Sequence, residues 1–233
     1  MSDGYSRMTY NNRWRIKRWS HNARFLVALK LAKAYSINQE RFLDYGAGDG
    51  YFATIIRKEF PNSNIVAFDP SLSMLKSIRK TCEQDHLTLA TGSLSEITDK
   101  FDVIFCLEVL EHLQDEEIVK TISMWRNAVS AGGIAIISVP IETGAAGFVK
   151  NAIRKVIGES HSSGKTLLES MRATFGARVD RGHDSYIGSH FGFSHSRLRK
   201  LIESTGAKII CVKYSPIPWA GPINSQCFWV VNW

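Results

Sequence analysis

The segment Asp44-Tyr45-Gly46-Ala47-Gly48-Asp49-Gly50 decides the fold, because it joins a strand pattern to a helix pattern through alternating glycines. Arg41–Tyr45 is predicted to form a buried strand, and Tyr51–Phe60 a helix that ends before Pro61. Glycine adopts backbone conformations that other residues avoid, and it lets a ligand approach the main chain. A strand, a glycine-rich turn and a helix in this order predict a ligand crevice at the carboxyl end of the strand.

Strand and helix patterns alternate outward from this segment. Further strands are predicted over Asn64–Pro70, Leu87–Thr91, Phe101–Val109, Gly133–Pro140, Lys208–Tyr214 and Gln226–Val231, and helices over Asn22–Tyr35, Ser71–Gln84, Asp115–Val129 and Ser196–Ser204. Units of this length indicate an α/β fold with a doubly wound, mostly parallel sheet. We divide the chain into a basic N-terminal arm and helix (residues 1–40) and one domain (41–233). An insertion at about 141–189 interrupts the regular alternation of strands and helices, and we interpret it as a lid or acceptor-binding cap.

The net charge of +7 is concentrated near the N-terminus. Residues 1–41 contain nine Lys or Arg and two acidic residues, whereas the remainder balances 20 basic against 20 acidic residues. Such an arm attracts the phosphates of nucleic acid, lipid head groups or a phosphorylated substrate; the alternative is an ordinary solvated helix face.

The apolar runs are shorter than the roughly 20 residues that a membrane-spanning helix needs, and the polar N-terminus does not resemble a secretory signal. The four cysteines, Cys82, Cys106, Cys211 and Cys227, form no C-x-x-C pair, which indicates reduced thiols rather than a zinc site. We expect a cytoplasmic protein, with peripheral contact at the inner face of an anionic membrane as an option.

The glycine turn has three candidate ligands. A dinucleotide fingerprint requires glycine or alanine where Tyr51 stands, and no Gly-Lys-Ser/Thr follows as a phosphate loop requires. An acidic residue before the glycines instead suits a ligand with an ammonium group and a carboxylate. We expect Asp44 to anchor the ammonium, loop amides to meet the carboxylate, and Asp69 to accept from two ribose hydroxyls. Pro70 would border the base.

These segments resemble the motifs of class I S-adenosylmethionine-dependent methyltransferases. Asp44–Gly50 resembles the first motif, Val66–Pro70 the second and Thr91–Leu94 the third, although Ser93 stands where the family usually has Asp. Phe101–Leu113 is similar to the fourth-strand motif of the ubiquinone-biosynthesis-like (methyltransferase type 11/12/23) branch. The similarity spans about residues 41–140 and resumes over 190–206.

The resemblance implies a Rossmann-like methyltransferase fold, with a seven-stranded sheet whose last strand is antiparallel. It also implies S-adenosylmethionine as the cofactor. The implied cofactor-binding residues are Asp44, Gly46, Ala47, Gly48, Gly50, Asp69, Pro70, Ser93, Leu94, Cys106 and Leu107.

The chemistry is expected just after the fourth strand. His190 is the first candidate for an acceptor-side base and His112 the second. Glu108, Glu111 and His112 resemble the metal ligands of some relatives, which recruit a further histidine; His183, His190 and His195 are the candidates here. The alternative is that these are helix-start and packing residues, so a divalent metal is not expected.

We interpret the chain as a methyltransferase that acts on oxygen in a small molecule or a carrier-linked sugar or lipid intermediate. One alternative is an RNA-modifying enzyme in which the arm binds phosphates and Trp14 and Trp19 stack on bases. Nucleic acid is disfavoured, because residues 42–233 have almost no net charge and no added RNA-binding module is visible. The other alternative is a non-catalytic module that only binds the cofactor.

Overall fold

The computed structural model describes residues 15–83, 85, 86, 88–94, 97, 100–141, 193–217, 221, 224 and 226–233, with side chains from residue 23 onward. The predictions on the first 14 residues, on nearly all of the insertion and on His183 and His190 lie outside the described residues.

The described chain forms one seven-stranded sheet. Its strands are β1 (Arg41–Tyr45), β2 (Asn64–Phe68), β3 (Thr88–Thr91), β4 (Phe101–Leu107), β5 (Val129–Pro140), β6 (Lys208–Ser215) and β7 (Gln226–Asn232). The spatial order is β3-β2-β1-β4-β5-β7-β6. Only β7 runs against its neighbours, pairing antiparallel with both β5 and β6. The predicted fold class is therefore confirmed, including the antiparallel last strand.

The described helices are α1 (Arg15–Tyr35), α2 (Tyr51–Glu59), α3 (Leu72–Thr81), α4 (Asp115–Ala128) and α5 (His195–Ser204), with a 3₁₀ turn at Leu110–His112. The predicted boundaries differ most at α1 and β5. Helix α1 begins seven residues earlier than its apolar pattern suggests. Strand β5 begins at Val129, which pairs with Phe101 before the register shifts. Gly132 adopts a φ of +77° there, so the glycine pair forms an irregularity within the strand instead of a loop before it.

Two apolar clusters cover the two faces of the sheet. On one face, α1 contributes Phe25, Ala28, Leu29, Leu31 and Ala32, which pack with residues of α2 and with Ile136, Phe228 and Val230 of the sheet. We call this the α1 face. The other face holds Tyr45, Cys106, Ile137 and Trp229 with residues of α4 and α5. Within the described part of the chain, none of the helices has both the length and the apolar character needed to traverse a membrane.

Candidate functional site

The glycine turn after β1 is fixed by its own amide groups. Gly46, Gly48 and Gly50 all have positive φ (80°, 58° and 80°), which only glycine adopts without strain. The N–H groups of Gly46 and Ala47 both donate to the carbonyl of Phe68, at 2.8 and 2.9 Å. The Gly50 N–H donates to Ala47 O at 2.9 Å. Sequence reasoning expected these amides to meet a ligand carboxylate, but the structure directs them inward to hold the loop.

Asp69 follows β2 and clamps the same turn. Its Oδ2 accepts from the Gly48 N–H at 3.0 Å, and its Oδ1 accepts from the Ser71 N–H at 2.9 Å. Burial raises the pKa of Asp69, and the two backbone hydrogen bonds oppose that shift. Each carboxylate oxygen has two lone pairs, so acceptor capacity remains for ligand hydroxyls. The side chain is thus oriented at the crevice edge, where the carboxyl ends of β1 and β2 meet.

Asp44 is a buried carboxylate at the end of β1, only 3% exposed. Its Oδ2 has no hydrogen-bond partner among the described residues. The pKa of Asp44 is raised to about 7, mainly by burial and in part by the negative charges of Asp69 and Asp49, while the positive charge of Arg24 opposes the shift. A buried charge of this kind is costly unless an opposite charge accompanies it. The site is therefore built for a ligand that brings positive charge.

Arg24 of α1 and Glu108 just after β4 face each other across the mouth of the crevice. The Arg24 Nη1 lies 3.9 Å from Glu108 Oε2, and the Arg24 side chain is only 8% exposed. Glu108 has a φ of +60°, which is uncommon outside glycine. Its N–H donates to Ser138 O at 2.9 Å, which ties the end of β4 to β5.

These groups line one open cleft. It is bounded by Arg24, Phe25, Asp44, Gly46, Ala47, Gly48, Phe52, Leu107 and Glu108, and it holds about 450 Å³ of empty space, part of it open to solvent. The Phe25 and Phe52 rings stack with centroids 4.8 Å apart, so α1 is fixed against α2 beside the cleft.

The other residues expected to bind the cofactor lie around or away from this cleft. Pro70 and Leu94 are exposed and Ser93 is half-buried, at the ends of β2 and β3 on the same edge of the sheet. Gly50 packs on α3, where an added Cβ would lie 3.1 Å from the Cα of Ile78. The side chain of Cys106 is fully buried on the face opposite α1, so it does not line the cleft.

The three candidate metal ligands are dispersed. Glu108 lines the cleft, Glu111 is fully buried in the 3₁₀ turn, and His112 is half-buried. His195 begins α5, where burial lowers its pKa. Within the described ranges, no three His, Cys, Asp or Glu side chains are grouped so as to hold a metal ion.

Arg24 and Phe25 are cleft residues that sequence reasoning did not select. The signal was present, because Arg24 stands four residues before Ala28 and seven before Leu31, on the buried stripe of α1. An arginine on an apolar helix face requires a partner for its charge.

The sheet order, the glycine turn and the acidic residues at the ends of β1 and β2 are arranged as the resemblance to class I S-adenosylmethionine-dependent methyltransferases implies. A family model described as a methyltransferase domain matches residues 12–212. The chain belongs to this family.

Individual relatives are more distant. The tRNA U34 carboxymethyltransferase of Sulfurimonas denitrificans is 30% identical over 102 residues, 42% of this chain and 33% of that protein. The malonyl-[acyl-carrier protein] O-methyltransferase of Priestia megaterium is 34% identical over 62 residues, 26% of this chain and 23% of that protein. The chain thus spans a third or less of these curated relatives. A solved S-adenosylmethionine-dependent methyltransferase from Clostridium acetobutylicum has the same fold, with a TM-score of 0.63, 14% identity and coverage of 98% of this chain and 95% of that one.

Proposed function

We propose that this protein transfers a methyl group from S-adenosylmethionine to oxygen in a small molecule or a carrier-linked intermediate. The observation that carries the cofactor assignment is Asp44, a buried carboxylate that lines the cleft and whose pKa is raised by the nearby carboxylates of Asp69 and Asp49. A pyrophosphate would be repelled by this cluster. A ligand with an ammonium and a sulfonium group would compensate it.

The described residues fit the parts of this cofactor. Asp44 supplies a buried acceptor for the ammonium group. Arg24 is the cationic side chain in the cleft and suits the carboxylate, since the N–H groups of Gly46 and Ala47 donate to Phe68. Asp69, oriented by two backbone donors, suits the ribose hydroxyls.

When bound, the cofactor supplies a methyl group already activated on a positively charged sulfur. The chain therefore has to orient the acceptor, exclude water and remove a proton where the acceptor is a hydroxyl. His112 lies next to the end of β4 and remains a candidate base, as does His190. One relative that this chain matches over 62 residues is named as an O-methyltransferase of malonyl-[acyl-carrier protein], which supports a carrier-linked acceptor.

Calorimetry on the purified protein tests the cofactor. We expect S-adenosylmethionine to bind and a nicotinamide dinucleotide not to bind. Asp69→Asn should weaken binding of S-adenosylmethionine at least about tenfold, because a neutral amide is a poorer partner for ribose hydroxyls. Equal affinity of the wild type and Asp69→Asn would remove the basis of the assignment.

Transfer of isotopically labelled methyl groups into a cell extract tests the reaction itself. Cofactor binding without any labelled product would support the non-catalytic alternative instead.

An RNA acceptor is the second candidate, favoured by the basic residues 1–41 and by the similarity to a tRNA-modifying relative. Binding through phosphates weakens steeply as salt rises. Retention of mixed RNA on the immobilised protein across a salt series decides between the two. Salt-sensitive retention together with labelled RNA would favour this candidate over a small-molecule acceptor.

A further inference from the structure

A strip of buried polar side chains continues the α1 face beyond its apolar core, at the edge of the sheet that carries the cleft. Ser138 is fully buried and Gln226 is 6% exposed. Neither the Ser138 Oγ nor the Gln226 Oε1 has a hydrogen-bond partner among the described residues. Buried polar atoms are nearly always paired in folded proteins, so two unpaired ones in one strip need an explanation.

The register of the strands places both side chains on the α1 face. Ser138 of β5 pairs with Phe228 of β7, and Pro140 of β5 pairs with Gln226 of β7. Ser138 and Gln226 are therefore diagonal neighbours, each two residues from the other's direct partner. Side chains two apart share a face, and such diagonal neighbours lie about 7–8 Å apart, within reach of a long side chain. Phe228 belongs to the apolar cluster under α1, which fixes the face on which the strip lies.

The strip is continuous with the cleft. Ser138 is the direct partner of Leu107 on β4, and Leu107 lines the cleft. The carbonyl of Ser138 accepts from the N–H of Glu108, a second cleft residue. On the far side, the chain before Gln226 is held by Asn224, whose Oδ1 accepts from the Ile217 N–H at 2.7 Å and whose Nδ2 donates to the Gly221 carbonyl at 3.0 Å.

We propose that Ser138 and Gln226 form a binding site for the methyl acceptor, and that the group recognised there is an uncharged hydroxyl-bearing one. This inference rests on the proposed function. Gln226 Oε1 accepts a hydrogen bond from a hydroxyl, and Ser138 Oγ both donates and accepts. Removing an ionic group from water costs more free energy than hydrogen bonds to one hydroxyl and one amide return. A carboxylate or phosphate is therefore a poor ligand for this strip. The nearby Arg24 lies 3.9 Å from Glu108 and is the side chain that we assign to the carboxylate of the cofactor, so it is not assigned to the acceptor.

The test uses Ser138→Ala and Gln226→Met, which remove the polar atoms while largely preserving shape. Ser63→Ala is the control, because Ser63 is equally buried but its Oγ donates to Phe60 O at 2.8 Å, just before β2 and far from the cleft edge. Three quantities are measured: the melting temperature without ligand, the affinity for S-adenosylmethionine by calorimetry, and labelled methyl transfer into cell extract.

For Ser138→Ala and Gln226→Met we expect a melting temperature about 2–4 °C higher, since each removes an unpaired buried group. We also expect unchanged cofactor affinity, and methyl transfer about three- to tenfold slower at limiting acceptor. Ser63→Ala should instead melt at a lower temperature and transfer at the wild-type rate. Transfer by Ser138→Ala and Gln226→Met at the wild-type rate overturns the site, and so does a loss of cofactor affinity, which would indicate a structural role.

The chemical class is tested on the product. A methylated hydroxyl is an ether and withstands mild alkali, so the label should stay on the product; release of the label as methanol would mark a methyl ester and overturn the class. If the wild type binds the cofactor and transfers nothing, the proposed function fails, and this inference falls with it.

Discussion

Replacing Asp44 with asparagine should make the ligand-free protein more stable and the cofactor complex weaker. Asp44 is buried beside Asp69 and Asp49, and its Oδ2 has no partner within the described structure. Asparagine keeps the shape and removes the charge. The native carboxylate is therefore expected to lower stability in exchange for binding, a trade-off typical of functional sites.

The magnitude follows from the pKa of Asp44, which is about 7 in the folded chain against an ordinary value of 3.8. Because the pKa is raised on folding, the native state holds the proton more tightly than the unfolded state. Stability therefore falls as pH rises from about 4 to 7, by roughly 1.4 kcal/mol per unit, and levels off above pH 7. Between pH 5 and pH 8 the free energy of unfolding of the wild type should therefore fall by about 2–3 kcal/mol more than that of Asp44→Asn.

Urea unfolding of both proteins at several pH values measures this difference, since subtraction cancels most of the groups that the two proteins share. Asp102→Asn is a useful control. Asp102 is equally buried, but its carboxylate accepts from the Glu40 and Arg41 N–H groups and from Ser130 Oγ, so its loss should destabilise the protein throughout this pH range. A pH-independent gap between the wild type and Asp44→Asn would refute the reasoning.

The same carboxylate makes binding depend on pH. The cationic ligand requires the ionised form, so wild-type affinity for S-adenosylmethionine should fall about tenfold per pH unit below pH 7 and stay level above it. Asp44→Asn should bind at least about tenfold more weakly at pH 8, with little dependence on pH. Calorimetry across this range measures both. A flat wild-type profile would contradict the role of Asp44.

Two further substitutions test the turn and the helix beside it. Gly46→Ala should cost about 2–4 kcal/mol of stability, because alanine is strained at positive φ and its Cβ would collide with Val109. Gly221 also has a positive φ but has open space around it, so Gly221→Ala should lose only the stability that the strained backbone costs. Equal losses of stability in Gly46→Ala and Gly221→Ala, measured by urea unfolding, would rule out a collision with Val109. Arg24→Met should weaken S-adenosylmethionine binding about tenfold or more, since it removes the cation from the cleft. Lys33 lies on the exposed side of the same helix, so Lys33→Met should leave the calorimetric affinity for S-adenosylmethionine unchanged. An equal loss of affinity in Lys33→Met would show that the total charge of the helix matters, and not the position of Arg24.

The alternation of predicted strands and helices was sufficient to predict a mostly parallel sheet, because each strand is a short buried run bounded by turn residues. It also located Asp44 and Asp69, since parallel strands deliver their carboxyl ends to one edge. The start of α1 was missed because the first turns of that helix lack an apolar stripe. Arg24 was missed because an arginine was assumed to be solvated, although its place on the buried stripe of α1 indicated that its charge needs a partner; the packing then shows that it lines the cleft.

The position of the Glu108 side chain is a feature that the sequence pattern could not predict. Along β4 the side chains alternate, with Leu107 on the α1 face and Cys106 on the other, so strict alternation would send Glu108 to the face of Cys106. Its left-handed φ of +60° breaks that alternation, and its side chain lines the cleft beside Leu107. The chain then turns so that Glu111 is fully buried. A left-handed residue other than glycine is too uncommon to be read from sequence, so the Glu-x-x-Glu-His spacing did not predict where the Glu108 side chain lies.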